Sequence, residues 1–130
     1  MGTFDERNRT MFYPPMAGYA VILIVSLCLA VVSSRGRLAR NLAVGVRTRQ
    51  TLRSDAAWVA AQRASVPYLV ALAAISGLHA VALLIVELTD GPSSWGHALA
   101  VGGFVLVVVV ALLARRGADR AARRASGTES

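Results

Sequence analysis

The sequence predicts an all-α membrane protein: three transmembrane helices with a structured cytoplasmic insert between the first two. Three apolar segments, residues 16–33, 64–88 and 95–114, can each cross a hydrocarbon core about 30 Å thick, which takes roughly 20 helical residues. Hydrophobic residues make up 55% of the chain and the mean hydropathy is +0.55, values that are rare in soluble domains. Too little sequence remains for a second core, so we expect residues 1–130 to form a single membrane domain.

Helix boundaries are marked by prolines and arginines. Pro14 and Pro15 precede the first span and can start a helix, although they would break one internally. Arg35 and Arg37 follow its last apolar turn. Pro67 lies near the start of the second span, where it is tolerated in a first turn or makes a kink. Each span is expected to be helical, because in lipid only a helix or a closed barrel pairs its backbone polar groups.

The arginine distribution predicts the orientation of the spans, because cytoplasmic loops are enriched in positive charge. The segment from 34 to 63 holds seven arginines and one acid, Asp55, whereas the connection at 89–94 has no arginine and carries Asp90. A cleaved signal peptide is not expected, because cleavage would leave the arginine-rich segment outside the cell. The expected locations are outside for residues 1–15 and 89–94, and cytoplasmic for residues 34–63 and 115–130.

The segment 117–130 is rich in Ala, Arg, Ser and Gly, and is predicted to be a frayed helix that gives way to disorder. Its arginines either bind anionic lipid headgroups or serve only as a topology signal. The net charge of +7 lies at the cytoplasmic ends of the spans, which argues against nucleic acid as a partner. With Cys28 as the single cysteine, neither a disulfide framework nor a cysteine metal site is available.

One polar segment stands between the first two spans, and it reads NLAVGVRTRQTLRSDAAW. Its spacing is similar to the signature of the SdpI-type membrane protein family, in which an N-x-x-x-G-x-R-T-x-x-T-L-x-S-x-x-x-W string joins two transmembrane helices. The matching positions, with the arginine that follows them, are Asn41, Gly45, Arg47, Thr48, Thr51, Leu52, Ser54, Trp58 and Arg63.

The resemblance implies an integral membrane protein of the bacterial cytoplasmic membrane. The founding relatives of this family protect a bacterium from a secreted killing peptide. One position departs from the pattern, because members often have His where this chain has Gln62. Any proton-linked role for that His is therefore absent here, although the Gln62 amide can still form hydrogen bonds.

The residues themselves predict the start of a helix inside the cap, the name used below for residues 34–63. Ser54 is a favourable N-cap, and Asp55 in the first turn favours a helix N-terminus. A short helix is therefore expected from residue 54. Trp58 on that helix is expected at headgroup depth, as in the aromatic belts of membrane proteins.

The loop of the cap is predicted to turn at Gly45, since glycine accepts a positive φ without strain. Thr48 and Thr51 can form hydrogen bonds with the local backbone. Arg47 has two alternatives: it pairs with Asp55 across the turn, or it offers its guanidinium to a lipid phosphate. The cap is thus either a structural element that joins the first two helices or a surface that contacts a ligand or lipid.

His79 is the ionisable residue near the middle of the second span, with Ser76 one turn before it. Such groups are costly in lipid and indicate function, but a neutral imidazole can also bond a neighbouring helix. Pairs of small residues four apart permit close helix packing and are expected to form internal seams. These pairs are Ala73 with Gly77, Ser76 with Ala80, and Ala98 with Gly102.

No catalytic, metal-binding or cofactor-binding pattern is present in the sequence, so an enzyme is not expected. The favoured hypothesis is immunity to a peptide toxin, or an envelope-stress or signalling role, exerted by binding. The alternatives are an accessory subunit that stabilises a membrane transporter or envelope complex, and a minimal carrier formed by oligomers. Expected partners are the bilayer and its anionic headgroups, a toxin peptide or a cytoplasmic regulator, and further copies or other subunits.

Overall fold

The computed structural model describes residues 11–40 and 44–127, and the regular structure in that part of the chain consists of three helices. Helix α1 spans Tyr13–Ser34, α2 spans Asp55–Leu88 and α3 spans Ser93–Gly127. Each helix is long and apolar enough to cross a membrane. The predicted all-α architecture with three spans is confirmed.

Helix α1 ends in a Schellman turn. Gly36 has a φ of +63°, and its amide donates to the Ser33 carbonyl over 3.1 Å. The Arg37 amide donates to the Val32 carbonyl over 3.2 Å. These two bonds pair carbonyls that the last helical turn leaves open, so the chain leaves α1 sharply at this point.

Helix α2 is continuous, whereas the sequence predicted a short helix from residue 54 and a separate span from residue 64. Pro67 lies inside it, about three turns after its start. The proline removes one backbone bond, but the helix continues because apolar surroundings offer the backbone no better partner. Pro14 and Pro15 do lie in the first turn of α1, as predicted.

Helix α3 is longer than its predicted span, because the segment expected to be a frayed helix is regular helix as far as Gly127. Residues 128–130, the end of the expected disordered tail, lie outside the described residues. The helix continues to Gly127 because Ala114, Ala118 and Ala122, four residues apart, are buried along one face. Together with Ala57 and Ala61 of α2, the last two form a cluster in which every member is fully buried. Small side chains let two helices approach closely, so residues 115–127, here called the α3 extension, are held as helix.

Helix α2 packs along both α1 and α3. Two apolar clusters fill the interior of the spans, one around Leu83 and Tyr19, the other around Ala30, Leu69 and Leu72. In the most apolar 18-residue stretch of α3, only 11% is buried, so most of that surface is available to lipid. The cap and the α3 extension meet at the opposite end of α2 from Leu83.

Candidate functional site

The loop of the cap folds around Thr51, whose side chain is 0% exposed. Its Oγ1 accepts a hydrogen bond from the Thr48 amide at 2.8 Å and lies 3.1 Å from the carbonyl oxygens of both Val46 and Thr48. The Thr51 amide donates in return to Thr48 Oγ1 at 3.3 Å. The expected local bonding of these two threonines is confirmed, and it closes the loop into a compact turn.

Gln62 of α2 clamps the same loop with its side-chain amide. Its Oε1 accepts from the Val46 amide at 3.1 Å, and its Nε2 donates to the Val46 carbonyl at 3.0 Å. Gln62 is 3% exposed, so both bonds are shielded from water. One imidazole nitrogen could not donate and accept at once, which makes the glutamine at this position well suited to a two-bond contact.

Gly45 is required by this clamp. Its φ is +100°, as expected for a turn residue that only glycine adopts easily. A Cβ built at Gly45 would lie 2.7 Å from Gln62 Oε1 and 3.0 Å from Leu38 Cδ2. The glycine therefore permits both the backbone conformation and the close approach of the loop to α2.

Trp58 joins the start of the cap to α2. Its indole Nε1 donates to the Leu38 carbonyl at 2.7 Å, and the residue is only 1% exposed. The aromatic-belt position expected for Trp58 is therefore wrong, because its indole is enclosed by protein and does not face lipid. Burial with a satisfied N–H is the other common environment of tryptophan.

The N-terminus of α2 is capped as predicted, because Ser54 Oγ accepts a hydrogen bond from the Ala57 amide at 3.1 Å. Asp55 pairs with Arg40, whose Nε lies 3.1 Å from Asp55 Oδ1. Arg40 also donates to the Leu52 carbonyl at 3.2 Å. The alternative in which Arg47 pairs with Asp55 is wrong, since Arg40 holds that carboxylate.

The cap is also bonded to the α3 extension. Thr48 Oγ1 donates to Asp119 Oδ1, and Val46 packs against the alanine cluster that α2 and α3 share. Arg47 is exposed and makes no hydrogen bond or ion pair with any residue that the structure describes. Arg63 is exposed too, and its Nη2 lies 3.2 Å from where a Cβ would stand on Gly36, at the end of α1.

His79 lies away from the cap, beside Tyr19 of α1 and Gly103 of α3. Its Nδ1 is 2.8 Å from the Ile75 carbonyl, so its hydrogen bond is to its own helix. The bond to a neighbouring helix that the sequence suggested is not formed by this nitrogen. The His79 ring lies 5.5 Å from the Tyr19 ring, and the Tyr19 hydroxyl donates to the Ala100 carbonyl at 2.5 Å. A Cβ on Gly103 would come within 2.4 Å of both side chains, so this contact requires glycine.

Two cavities adjoin these residues. One of about 140 Å³ lies between α1, the cap loop and α2, and its lining includes Ser33, Gly45 and Gln62. The Ser33 hydroxyl is buried there without a hydrogen-bond partner among the described residues. A second, apolar groove of about 370 Å³ opens between α1 and α3 beside Tyr19 and Phe104.

The model of the SdpI/YfhL protein family matches residues 37–114, more than half of the chain. The chain belongs to this family. Comparison with curated proteins and with solved structures finds no match. The resemblance inferred from the cap is confirmed, and the match covers the cap and the two spans that follow it.

The signature positions of this SdpI-family chain lie together in or beside the cap. Thr48, Thr51 and Gly45 build the loop, and Ser54 and Trp58 fix it to α2. Arg47 and Arg63 are exposed at its surface. Asn41, the first position of the signature, lies outside the described residues.

Two residues whose hydrogen bonds join distant segments of the chain were not predicted from the sequence. Tyr19 is a buried tyrosine in an apolar span, and its hydroxyl had to find a partner, which is a usable signal. Asp119 is an isolated acid among arginines, and its bond to Thr48 joins segments far apart in sequence. Within the described parts of the chain, no group of three or more His, Cys, Asp or Glu side chains is placed to hold a metal ion.

Proposed function

We propose that this SdpI-family protein protects a bacterium against a membrane-active peptide, or signals its presence, by binding rather than by catalysis. Family membership supports this, since the founding relatives confer immunity to a secreted killing peptide. A cap that binds a peptide or a cytoplasmic regulator needs a defined shape and exposed recognition groups. A catalytic site would need a reactive group with a base beside it. Among the described signature residues, Thr48 alone has such a neighbour, and its bond to Asp119 joins the cap to α3.

The observation that carries the proposal is that most of the described signature residues belong, with Gln62, to one hydrogen-bonded unit that is bonded to both α2 and α3. Gln62, Thr51 and Trp58 use their polar atoms inside this unit. Arg47 directly follows Val46 in the same loop, yet is exposed and unpaired among the described residues. A rigid loop that presents an arginine outward supports recognition of a partner, because a preorganised guanidinium loses less entropy on binding.

We further propose that the cap and the α3 extension lie in the cytoplasm and that the chain resides in the bacterial cytoplasmic membrane. The seven arginines between residues 34 and 63 support this orientation, since positive charge is enriched on the cytoplasmic side. Arg47 and the first arginines after α3's apolar segment, Arg115 and Arg116, would then face anionic headgroups, which makes the inner leaflet a second partner.

The immunity proposal is tested by comparing Arg47→Lys with Arg49→Lys. Both residues are exposed and lie in one loop, but only Arg47 belongs to the signature. Lysine retains the charge and loses the planar fork, so a bidentate contact weakens while topology is preserved. The measurement is survival of cells that lack the native protein, challenged with a membrane-active peptide toxin at equal membrane levels of each variant.

We expect the native protein and Arg49→Lys to protect equally, and Arg47→Lys to protect less. Equal protection by all three would retain immunity and remove Arg47 from the recognition surface. Absence of protection by the native protein against a panel of such toxins would reject immunity.

The second candidate is an accessory subunit, and a specific observation favours it. Of the three pairs of small residues, Ala73 with Gly77 contributes to the inside of the bundle, where a Cβ on Gly77 would contact Leu23. Ala98 and Gly102 are instead exposed on α3, and a Cβ on Gly102 would meet nothing within 4 Å. If this face packs against another subunit, Gly102→Leu should reduce the mass of the complex isolated in mild detergent, with Gly18→Leu as the control.

A further inference from the structure

Two arginines from distant parts of the chain line one open cavity at the end of the molecule. Arg53 is at the end of the cap loop, and Arg123 is on the α3 extension, seventy positions later. The cavity between them has a volume of about 410 Å³, and its remaining lining residues are Ser54, Ser126 and Gly127. This volume is within the range of sites for small molecules, roughly 300–1,000 Å³.

Among the described residues that line this cavity there are two arginines and no acid. Arg53 Nη1 bonds only the neutral amide of Gln50, at 3.3 Å, and Arg123 makes no hydrogen bond or ion pair with the described residues. The adjacent cavity shares Arg123 but differs in containing Asp119, and that carboxylate also accepts the bond from Thr48. In the cavity between Arg53 and Arg123, an anion would therefore lower the electrostatic repulsion between the two guanidinium groups.

We propose that Arg53 and Arg123 bind a phosphate group of a small molecule in this cavity. The planar fork of arginine matches phosphate oxygens with two parallel hydrogen bonds, and one fork is available from each wall. The first turn of α2 begins beside Ser54 and adds the partial positive charge of a helix N-terminus to the same place. This site is independent of the peptide-immunity proposal.

The length of α3 bears on where the phosphate comes from. Arg123 lies eight residues beyond Arg115, the first arginine after the apolar segment, which is roughly 12 Å of helix. Lipid phosphates lie at the edge of the hydrocarbon core, close to the level of Arg115. The geometry thus favours a free phosphorylated compound over a lipid headgroup, and the two sources can be separated experimentally.

The test uses the full-length protein in nanodiscs of phosphatidylcholine, a lipid without net charge, at an ionic strength of about 0.15 M. Pyrophosphate is the probe, and calorimetry measures its binding. We expect binding by the native protein, about tenfold or greater weakening in Arg53→Gln and in Arg123→Gln, and little change in Arg49→Gln. Arg49 is the matched control, since it is exposed in the same loop but does not line the cavity.

Each result assigns or rejects the site. Equal weakening in Arg49→Gln would show diffuse attraction and overturn the proposal, as would binding by neither pyrophosphate nor lipid. If pyrophosphate does not bind but phosphatidylglycerol vesicles do, and only when Arg53 and Arg123 are present, the phosphate site stands with lipid as its source. Far-UV circular dichroism verifies folding, and because all three arginines are exposed we expect the same helix content in every variant.

Discussion

The spans and the cap of this protein are held together in different ways. In the spans, α2 contacts its neighbours mainly through apolar and small side chains, and one interhelical hydrogen bond, from Tyr19 to Ala100, joins α1 to α3. In the cap, buried Thr51, Gln62 and Trp58 form directional bonds to backbone atoms. A loop has no repeating backbone ladder, so side chains must supply its specificity, whereas a helix in lipid satisfies its own backbone.

The largest expected effect is all-or-none, and it concerns the side of the membrane on which the cap lies. In a Cys28→Ala background, Pro92→Cys should react with an impermeant thiol reagent on intact cells, and Gln50→Cys should react only after permeabilisation. The physical reason is the arginine bias of the cap, which opposes its translocation. Labelling of position 50 on intact cells would reverse the proposed orientation.

The next effect is loss of the cap through Gly45→Val. Valine at a φ of +100° is strained, and its Cβ would overlap Gln62 Oε1 at 2.7 Å. Together these terms cost roughly 2–5 kcal/mol. We expect a lower thermal midpoint in detergent and faster trypsin cleavage at the cap arginines, with most helical circular dichroism retained. An unchanged midpoint and cleavage rate would mean that the cap is only a solvated linker.

Gly103→Val tests the spans in the same way, with an expected cost of roughly 1–3 kcal/mol. Its Cβ would lie 2.4 Å from the Tyr19 hydroxyl and from His79 Cδ2, which forces α3 away from α1 and α2. Gly102→Val is the matched control, because a Cβ there meets nothing within 4 Å. Unfolding in detergent measures both, and equal stability of the two variants would contradict the packing described for His79.

Thr51→Val isolates the hydrogen bonds of the cap, since valine has nearly the same shape as threonine. It leaves the buried Thr48 amide without its acceptor, at a cost of about 1–3 kcal/mol. Thr89→Val removes an exposed hydroxyl that bonds the Ile85 carbonyl, and its effect should stay within about 0.5 kcal/mol. If the two variants lose the same stability, buried hydrogen bonding does not distinguish the cap.

Arg40→Gln should have the smallest effect. Arg40 pairs with Asp55 at 3.1 Å, but the two side chains are 42% and 84% exposed, so solvent screens the pair. We expect a change of at most about 1 kcal/mol that disappears at high salt. A loss as large as that of Gly45→Val, persisting in high salt, would show that this ion pair organises the loop.

Three features of the fold follow from sequence alone. Apolar length predicts the spans, Ser54 marks the start of α2, and Gly45 marks the turn. These properties depend on a residue and its close neighbours in the chain, which is why periodicity and local preference suffice.

The errors concern contacts between distant segments. The α3 extension was expected to fray and give way to disorder, because an alanine-rich segment with many arginines is stable as helix only when its alanines find a partner, here Ala57 and Ala61. The burial of Trp58 and the pairing of Asp55 with Arg40 were missed for the same reason, since which arginine reaches Asp55 depends on how the loop folds. Such pairings require tertiary geometry, which one sequence does not contain.

The continuous helix α3 also has a mechanical consequence. Its 35 residues amount to roughly 50 Å, of which about 30 Å fit a hydrocarbon core, so about 20 Å project beyond it. Helices adjust to bilayer thickness by tilting, and a tilt of about 10° would displace the projecting end sideways by about 3 Å. Because Thr48 is bonded to Asp119 on that end, the cap would be carried with it, and α3 would act as a lever through which bilayer thickness moves a surface outside the lipid.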